Sequence, residues 1–409
     1  MFPKTLLTTL LLALSVAANP VLVDRAPVTV SFSRRVNATS VQHLVKHDQA
    51  RARYLKQKGT AKAAGLEAAV ISSPVDNQAV SYIASVGVGS PATTYDLIVD
   101  TGSSNTWVGA GTTYVKTSTS TKTSNSVSVS YGSGSFSGTE YTDTVTIGSG
   151  LTITKQSIGV ASTSSGFQGV DGILGIGPLD LTQGTLSPAS SSTIPTVTDN
   201  LFSQGTISAD SIGISFEPSQ TGNDLNGEIT WGGVDSSKYT GSITYIPVTS
   251  TYPASAYWGI NQSIRYGTST TILSSTAGIV DTGTTLILIA TNGFTKYKSA
   301  TGATLDSNTG LLAISSTNFN NLSSLFFTTG GTTFELTANA QIWPRALNTD
   351  IGGSSSKIYL ITADLGSNSG QGLDFINGQS FLERFYSVFD TANNRVGLAT
   401  TPFTTATSN

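Results

Sequence analysis

Two aspartates occupy the same short motif in different halves of the chain. Asp100 lies in LIVDTGSSNTW at residues 97–107, and Asp281 lies in IVDTGTTLILI at residues 279–289. Each aspartate follows Ile-Val and precedes Thr-Gly, so each is expected at the end of a buried strand. One such motif alone is typical of a turn. Two copies predict a carboxyl pair that shares one proton, with one carboxyl acting as base and the other as acid.

The residues that follow each aspartate suit a carboxyl site. A threonine one position on offers a hydroxyl that can tie the two loops together. A glycine two positions on has no Cβ, which lets backbone N–H groups approach the carboxylate. A hydroxyl residue three positions on can fix the outer carboxylate oxygen. These supporting residues are Thr101, Gly102, Ser103, Thr282, Gly283 and Thr284.

Composition removes most other kinds of catalytic chemistry. The 409 residues include no cysteine, which excludes cysteine nucleophiles, thiolate metal sites and disulfides. The only histidines are His43 and His47, near the N-terminus. If that segment is removed, the remaining chain cannot form a Ser-His-Asp triad or a histidine-based zinc site. A carboxyl pair requires neither a metal nor another cofactor, and we expect none.

The N-terminus has the pattern of a secretory signal. Lys4 precedes an apolar run at residues 6–18 that ends in small residues, which predicts a signal peptide over residues 1–18. A short membrane anchor is the alternative, but the run is too short to span a bilayer. The sequence therefore predicts a secreted, extracellular protein. Its N-x-Ser/Thr sequons, which are candidate glycosylation sites, are Asn37, Asn261 and Asn321.

Residues 19–67 differ in charge from the rest of the chain. They carry nine Lys or Arg and three acids, a net charge of +6, whereas residues 68–409 carry 11 and 21, a net charge of −10. A basic segment ahead of an acidic body predicts a propeptide that docks on that body, with a solvated basic helix as the alternative. The stretch VQHLVKHDQARARYLKQKG predicts a helix. We expect Lys56 or Lys58 to reach the carboxyl pair and block it.

The remaining sequence is typical of a β-rich protein with two lobes. Apolar or alternating stretches between Gly-rich turns predict strands at residues 79–89, 126–132, 144–148 and 226–233. The few helical patterns lie at residues 194–205, 292–302 and 378–386. The aspartates are 181 residues apart, about half of the body, which indicates an internal duplication. We expect an N-terminal lobe at 68–242 and a C-terminal lobe at 243–409, with a cleft between them.

A Gly-rich segment provides a third candidate element of the site. YGSGSFSG at residues 131–138 lies between alternating stretches and reads as a hairpin tip. An ordinary exposed hairpin is the alternative. Beside a carboxyl pair, the tip is better interpreted as a lid that excludes water from a cleft.

Five motifs together resemble the pepsin-like (A1) aspartic endopeptidases over nearly the whole chain. They are VDTGSSNTW, YGSGS, DGILGIG, IVDTGTT and FLERFYSVFDTANNRVGLA. VGVGSPATTY and the lack of cysteine are especially similar to the fungal polyporopepsin type. The resemblance implies a mostly β, bilobed fold whose two lobes are related by pseudo-two-fold symmetry. It also implies a secreted endopeptidase, made as a zymogen, that acts at acid pH on extended protein or peptide substrates.

The resemblance assigns roles to individual residues. Asp100 and Asp281 would be the catalytic pair. The lid, or flap, would contain Tyr131, Gly132 and Ser133. Trp107 would be the partner of the Tyr131 hydroxyl. The residues that line subsites would be Ile98, Ile173 and Leu286. We also expect inhibition by pepstatin-type compounds, a monomer, and neither nucleic-acid nor membrane partners.

Two features depart from the family pattern. Many members carry disulfides, and this chain can form none. Asn377 stands where the family usually has a second apolar residue before the glycine of this loop. A polar side chain in a buried loop needs hydrogen-bond partners, so the packing beneath Asp281 is expected to differ locally.

Two other classes of protein stay open at this point. One is a catalytically inactive pepsin-like binding or inhibitor protein, although both aspartates are present. The other is a glycoside hydrolase that uses a carboxylate pair, although its acids need not lie in duplicated loops. Digestion of a denatured protein at acid pH, with and without pepstatin, separates these classes from a protease.

Overall fold

A computed structural model describes residues 26–36, 44–63 and 80–409. The predicted signal peptide, the sequon at Asn37 and residues 64–79 lie outside the described residues. In the described ranges, no helix is both long enough and apolar enough to cross a membrane.

The protein is mostly β, as predicted, and its described strands form three sheets. The largest sheet contains β1 (Val28–Val36), β2 (Val80–Val88), β3 (Thr93–Asp100), β4 (Trp107–Val108), β5 (Thr121–Ser130), β6 (Ser135–Gly148), β7 (Leu151–Ser165), β8 (Gly172–Gly175), β9 (Leu186–Ser187), β10 (Ser211–Phe216), β11 (Asn223–Trp231), β12 (Thr240–Pro247), β23 (Phe385–Asp390) and β24 (Arg395–Thr400). The second contains β13 (Gly259–Tyr266), β14 (Thr270–Val280), β15 (Ile287–Ile289), β18 (Leu325–Thr329), β19 (Thr332–Leu336), β21 (Thr362–Asp364) and β22 (Phe375–Asn377). The third contains β16 (Thr304–Leu305), β17 (Leu312–Ile314) and β20 (Ile358–Leu360).

Helices are few in the described residues, and α1, with 20 residues, is the longest of them. The α-helices are α1 (Leu44–Ala63), α2 (Val197–Ser203), α3 (Thr291–Thr301), α4 (Ser316–Asn320) and α5 (Gln379–Leu382). The helix predicted over 378–386 is wrong beyond its first turn, because Phe385–Asp390 forms strand β23. That segment is fully buried and pairs on both sides, with β10 and β24, so the sheet overrides the local helical pattern.

The two aspartate strands have the same surroundings in the two halves of the chain. β3 pairs in parallel with β8, which also pairs antiparallel with β4. In the second half, β14 pairs in parallel with β22, which also pairs antiparallel with β15. This repeated topology is that of a bilobed, pseudo-symmetric fold. The predicted lobe boundary after residue 242 falls inside β12, which pairs with β24 near the C-terminus.

The segment predicted to be a propeptide is built into the fold at two places. β1 lies between β11 and β2 in the large sheet, where it pairs antiparallel with both. Helix α1 buries Leu44, Val45 and Leu55 against the hydrophobic core. The basic helix is therefore packed rather than solvated.

Candidate active site

The structure brings Asp100 and Asp281 together at the ends of β3 and β14, where both side chains are buried. The threonines that follow them join the two loops. Thr101 N donates to Thr282 Oγ1 and Thr282 N donates to Thr101 Oγ1, both at 3.0 Å. The Thr282 hydroxyl also donates to the carbonyl of Val99 at 3.0 Å. These contacts fix the separation of the two carboxylates.

Each carboxylate has the same pair of donors from its own loop. Asp100 accepts from Gly102 N at 2.9 Å and from Ser103 Oγ at 2.6 Å. Asp281 accepts from Gly283 N at 3.1 Å and from Thr284 Oγ1 at 2.6 Å. A Cβ on Gly102 would lie 2.6 Å from Asp281 Oδ1, so each loop requires glycine where it faces the opposite aspartate.

A third charged group lies between the two carboxylates. Arg51 of α1 donates from Nη2 to Asp100 Oδ1 at 2.6 Å and to Asp281 Oδ1 at 2.9 Å. Its Nε donates to Asp281 Oδ2 at 2.7 Å. The Arg51 side chain is 5% exposed, so the ion pairs are shielded from water. The planar guanidinium matches two carboxylates in a way that a lysine ammonium does not.

The prediction that Lys56 or Lys58 blocks the pair is therefore wrong. Lys56 Nζ donates to Ser367 Oγ, and Lys58 Nζ donates to the carbonyl of Leu181 at 3.1 Å. The charge of Asp100 acts on Lys58, but no ion pair joins Lys58 to either aspartate in the described residues.

Arg51 sets the electrostatics of the pair. Burial alone raises the pKa of Asp281, but the Arg51 charge and hydrogen bonds, together with those of Thr284 and Gly283, hold it below its usual value. Asp281 is therefore ionised in this state, as an ion pair with a buried arginine requires.

The predicted flap is the tip of the hairpin between β5 and β6. Tyr131 N donates to the carbonyl of Gly134 at 2.8 Å, and Gly132 has a positive φ of 79° that favours glycine. A Cβ on Gly132 would lie 2.6 Å from both the carbonyl oxygen of Ala50 and Cβ of Tyr54. Helix α1 is thus in close contact with the flap and fills the space beneath it.

The Tyr131 and Trp107 rings are nearly parallel, with centroids 6.5 Å apart. Burial raises the pKa of Tyr131 and the nearby Trp107 side chain opposes that rise, but the two groups are not aligned as the expected hydrogen bond. The Tyr131 hydroxyl and Trp107 Nε1 are both buried, and neither has a hydrogen-bond partner among the described residues. A hydrogen bond between the Tyr131 hydroxyl and Trp107 Nε1 remains a prediction for the state in which α1 has left the cleft.

The three predicted subsite residues do not lie together. Ile98 and Ile173 share an apolar cluster with Trp107, Tyr131 and Phe167. They line a small cavity beside Asp100, together with Ser133 of the flap. Leu286 belongs instead to the large core and contacts α1 through its backbone N–H, which donates to Asp48 Oδ2 at 2.8 Å. The structure thus places Ile98 and Ile173, but not Leu286, at this cavity.

Sequence reasoning missed several residues of the site. Arg51 had an available signal, because it is seven residues after Leu44 and four before Leu55, on the apolar face of the helix. Tyr257 had no such signal, since it lies 24 residues before Asp281 and outside both motifs. Its hydroxyl donates to the carbonyl of Leu55 at 2.9 Å, next to the aspartates. Phe167 of the cavity wall had none either.

Asn377 has the partner that its burial requires. Its Nδ2 donates to Gln262 Oε1 at 3.0 Å, and Gln262 Nε2 donates back to Asn377 Oδ1 at 3.3 Å. Both side chains are fully buried. The Asn377 carbonyl accepts the N–H of Asp281 at 3.1 Å, so this amide pair lies directly beneath the Asp281 loop.

The two described sequons are accessible. Asn261 lies in β13 and Asn321 follows α4, and both residues are exposed. Their use as glycosylation sites remains a prediction.

Comparison with known proteins agrees with this geometry. A profile of the family described as eukaryotic aspartyl protease matches residues 81–401. Polyporopepsin from Irpex lacteus is 73% identical over 338 residues, which cover 83% of this chain and 99% of that protein. Pepsin A from Sus scrofa is 31% identical over 349 residues, which cover 80% and 83%. The crystal structure of an aspartic proteinase from Irpex lacteus matches with a TM-score of 0.79 and 74% identity, covering 80% of this chain and 96% of that one. The chain belongs to the eukaryotic aspartyl protease family.

Proposed function

We propose that this protein is a secreted aspartic endopeptidase, active at acid pH on internal peptide bonds and made as an inactive precursor. The observation that carries the proposal is the matched placement of two buried aspartates around one cationic nitrogen of α1. Family membership supports the reaction class, and it argues against a glycoside hydrolase. The complete donor set on both carboxylates argues against an inactive binding protein.

The position of Arg51 Nη2 indicates where the nucleophile binds once α1 has left. That nitrogen donates to the inner oxygens of Asp100 and Asp281 at 2.6 and 2.9 Å. A water molecule has two hydrogens and can make the same two contacts. The outer oxygens already accept from Ser103 and Thr284, which fixes the orientation of the carboxyl groups.

Hydrolysis then follows general acid–base catalysis by the pair. The ionised aspartate accepts a proton from the water while the water oxygen attacks the peptide carbonyl carbon. The protonated aspartate donates to the carbonyl oxygen, giving a tetrahedral diol. The aspartate that took the water's proton then donates it to the amide nitrogen, and the carbon–nitrogen bond breaks. A diol hydroxyl returns its proton to the other aspartate, so the pair again holds one proton. The pair titrates as a unit, and it is active while it holds one proton.

Residues 19–67 act in this proposal as a propeptide that blocks the cleft. Arg51 occupies the nucleophile position, α1 packs under the flap, and Tyr257 binds the backbone of Leu55. A substrate cannot enter until α1 leaves. Acid favours its departure by protonating the carboxylates that hold it, and cleavage near residues 67–70 then makes the change permanent.

The substrate is an extended peptide with apolar side chains next to the cut. Ile98, Ile173 and Phe167 provide an apolar surface beside Asp100. The peptide backbone is held along the cleft by hydrogen bonds, as in strand addition.

The test is digestion of a denatured protein at acid pH by the processed enzyme. We expect cleavage that pepstatin blocks and that is lost in both Asp100→Asn and Asp281→Asn. Glu335→Gln, which changes an exposed carboxylate of β19, serves as the matched control and should retain activity. Cleavage that persists in both aspartate variants would overturn the proposal.

A further inference from the structure

Gln379 is buried against the loop that carries Asp281, although it lies outside both aspartate motifs. It is the first residue of α5 and is 2% exposed. Its Nε2 donates to the carbonyl of Thr282 at 2.7 Å, and its backbone N–H donates to the carbonyl of Thr284 at 2.8 Å. The Gln379 side chain thus binds the loop backbone at the residue that directly follows the aspartate.

The Thr282 carbonyl belongs to the same peptide group as the Gly283 N–H. That N–H donates to Asp281 Oδ1 at 3.1 Å, and the same oxygen accepts from Arg51 Nη2. A chain of hydrogen bonds therefore runs from the Gln379 amide through one peptide group to the inner oxygen of Asp281. A hydrogen bond to a peptide carbonyl polarises the peptide and strengthens the hydrogen bond that its N–H donates.

The Gln379 amide is not placed for its contribution to core stability. Its Oε1 is buried and has no hydrogen-bond partner among the described residues. Because the Thr282 carbonyl can only accept, the contact requires the orientation in which the Gln379 Nε2 faces it. A buried acceptor without a partner is costly, and an apolar side chain of similar size would fill the space without that cost. The contact with the loop is what the amide provides here.

The first half of the chain has an apolar residue at the corresponding position. β8 pairs with β3 as β22 pairs with β14, and by that register Leu174 corresponds to Asn377. Two residues further on, Ile176 therefore corresponds to Gln379. Ile176 belongs to the hydrophobic core and has no side-chain donor. Since the Asp100 loop folds without an amide at this position, the loop fold itself does not require one.

We propose that Gln379 is a positioning residue for peptide hydrolysis, because it fixes and polarises the Thr282–Gly283 peptide whose N–H binds the inner oxygen of Asp281. The inference rests on the proposed function and assigns a further residue to that reaction. The inner oxygen is where the nucleophilic water binds in the proposed mechanism. Loss of the amide should therefore lower kcat more than it changes KM.

Steady-state kinetics of the processed enzyme test this role. An apolar chromogenic peptide serves as the substrate across the acid range, and kcat is expressed per site titrated with pepstatin. Gln379→Met keeps the length of the side chain but removes the donor. We expect kcat to fall about 10–100-fold at every pH, with KM changed by less than about threefold.

Gln379→Glu tests the donor itself and gives a readout that packing alone would not change. A protonated carboxyl has one O–H donor and can replace the amide at Thr282, whereas an ionised carboxylate can only accept. Burial and the charge of the nearby Asp281 both oppose ionisation of the new carboxyl. Of the charged residues that follow on the chain, Glu383 binds Tyr82 and Arg384 donates to backbone carbonyls. We expect kcat near the parental value in strong acid and a loss of kcat as the pH rises.

Ser380→Ala is the matched control. The Ser380 hydroxyl donates to the carbonyl of Thr285 at 2.9 Å, in the same loop but outside the Gly283 peptide. That carbonyl keeps the Ser380 N–H as a donor, at 3.0 Å. The substitution should leave kcat and its pH profile at the parental values.

The outcomes separate this inference from the proposed function. A parental kcat and pH profile in both Gln379 variants would overturn the inference alone. Equal losses in Gln379→Met and Gln379→Glu at every pH would also overturn it, because the donor would then be irrelevant. If Gln379→Met does not fold, the pH dependence of Gln379→Glu still decides the question. No cleavage by the parent enzyme would overturn the proposed function, and this inference with it.

Discussion

Arg51 and Asp281 are joined by two hydrogen bonds, from Nε to Oδ2 at 2.7 Å and from Nη2 to Oδ1 at 2.9 Å. This two-point contact suits a guanidinium, whereas a lysine ammonium interacts as a point charge. We expect an Arg51→Met precursor to shorten at a higher pH than the parent, with Arg51→Lys between them. Gel electrophoresis after incubation from neutral to acid pH measures the change.

The control for this series is Arg53→Met, which removes an exposed cation from the same helix. It should leave the pH of conversion unchanged. Conversion of the Arg51 variants at the parental pH would show that Arg51 does not restrain the precursor.

The stability of the precursor should depend on pH through the same contact. The pKa of Asp281 is lowered in the folded state, so the contribution of Arg51 is complete above the usual aspartate pKa of about 3.9. It is lost as the pH falls through the lowered value. We expect the Tm difference between the Asp100→Asn precursor and its Arg51→Met derivative to be large near neutrality and to shrink in strong acid. A difference independent of pH would contradict this assignment.

The two aspartate loops were predictable from sequence because the contacts within each loop are local. Each motif places its aspartate, glycine and hydroxyl residue within four positions, and the hydrogen bonds to each carboxylate connect the same positions. The duplicated motif predicted an internal duplication, and the structure repeats the parallel strand pairing around Asp100 and Asp281.

Contacts between distant segments were harder to predict. Nine cations in residues 19–67 gave no direct indication of which one faces the cleft, and the prediction named Lys56 or Lys58. Helical spacing favours Arg51 only when positions are counted from the apolar residues Leu44 and Leu55, because Arg51 lies on the same face of the helix. Arg34 is still less predictable, because its partner Glu383 is brought close only by strand pairing across the large sheet.

The amide pair beneath Asp281 should behave as a unit. Asn377→Leu leaves Gln262 without its partner in a fully buried site, which should cost about 1–3 kcal/mol in the free energy of unfolding. A second substitution, Gln262→Leu, removes the unpaired amide and should recover part of that loss. Urea unfolding of the processed protein in the Asp100→Asn background measures both. Additive losses in the double variant would mean that the two amides do not stabilise each other.

Glu140 should make the protein less stable as the pH rises. It is 2% exposed on β6, Ser157 donates to its Oε1 at 2.6 Å, and its Oε2 has no hydrogen-bond partner among the described residues. Burial raises its pKa to about 7. A raised folded-state pKa means that stability is complete in acid and is lost as the pH rises through that value. Glu140→Gln removes the ionisation and should reduce the loss in the free energy of unfolding by up to about 3 kcal/mol above neutral pH, with little effect in acid.

Urea unfolding at several pH values, in the same Asp100→Asn background, measures how the free energy of unfolding changes with pH. Glu335→Gln, at an exposed position of β19, should leave the slope unchanged. A Glu140→Gln protein with the parental slope would show that Glu140 does not ionise over this range.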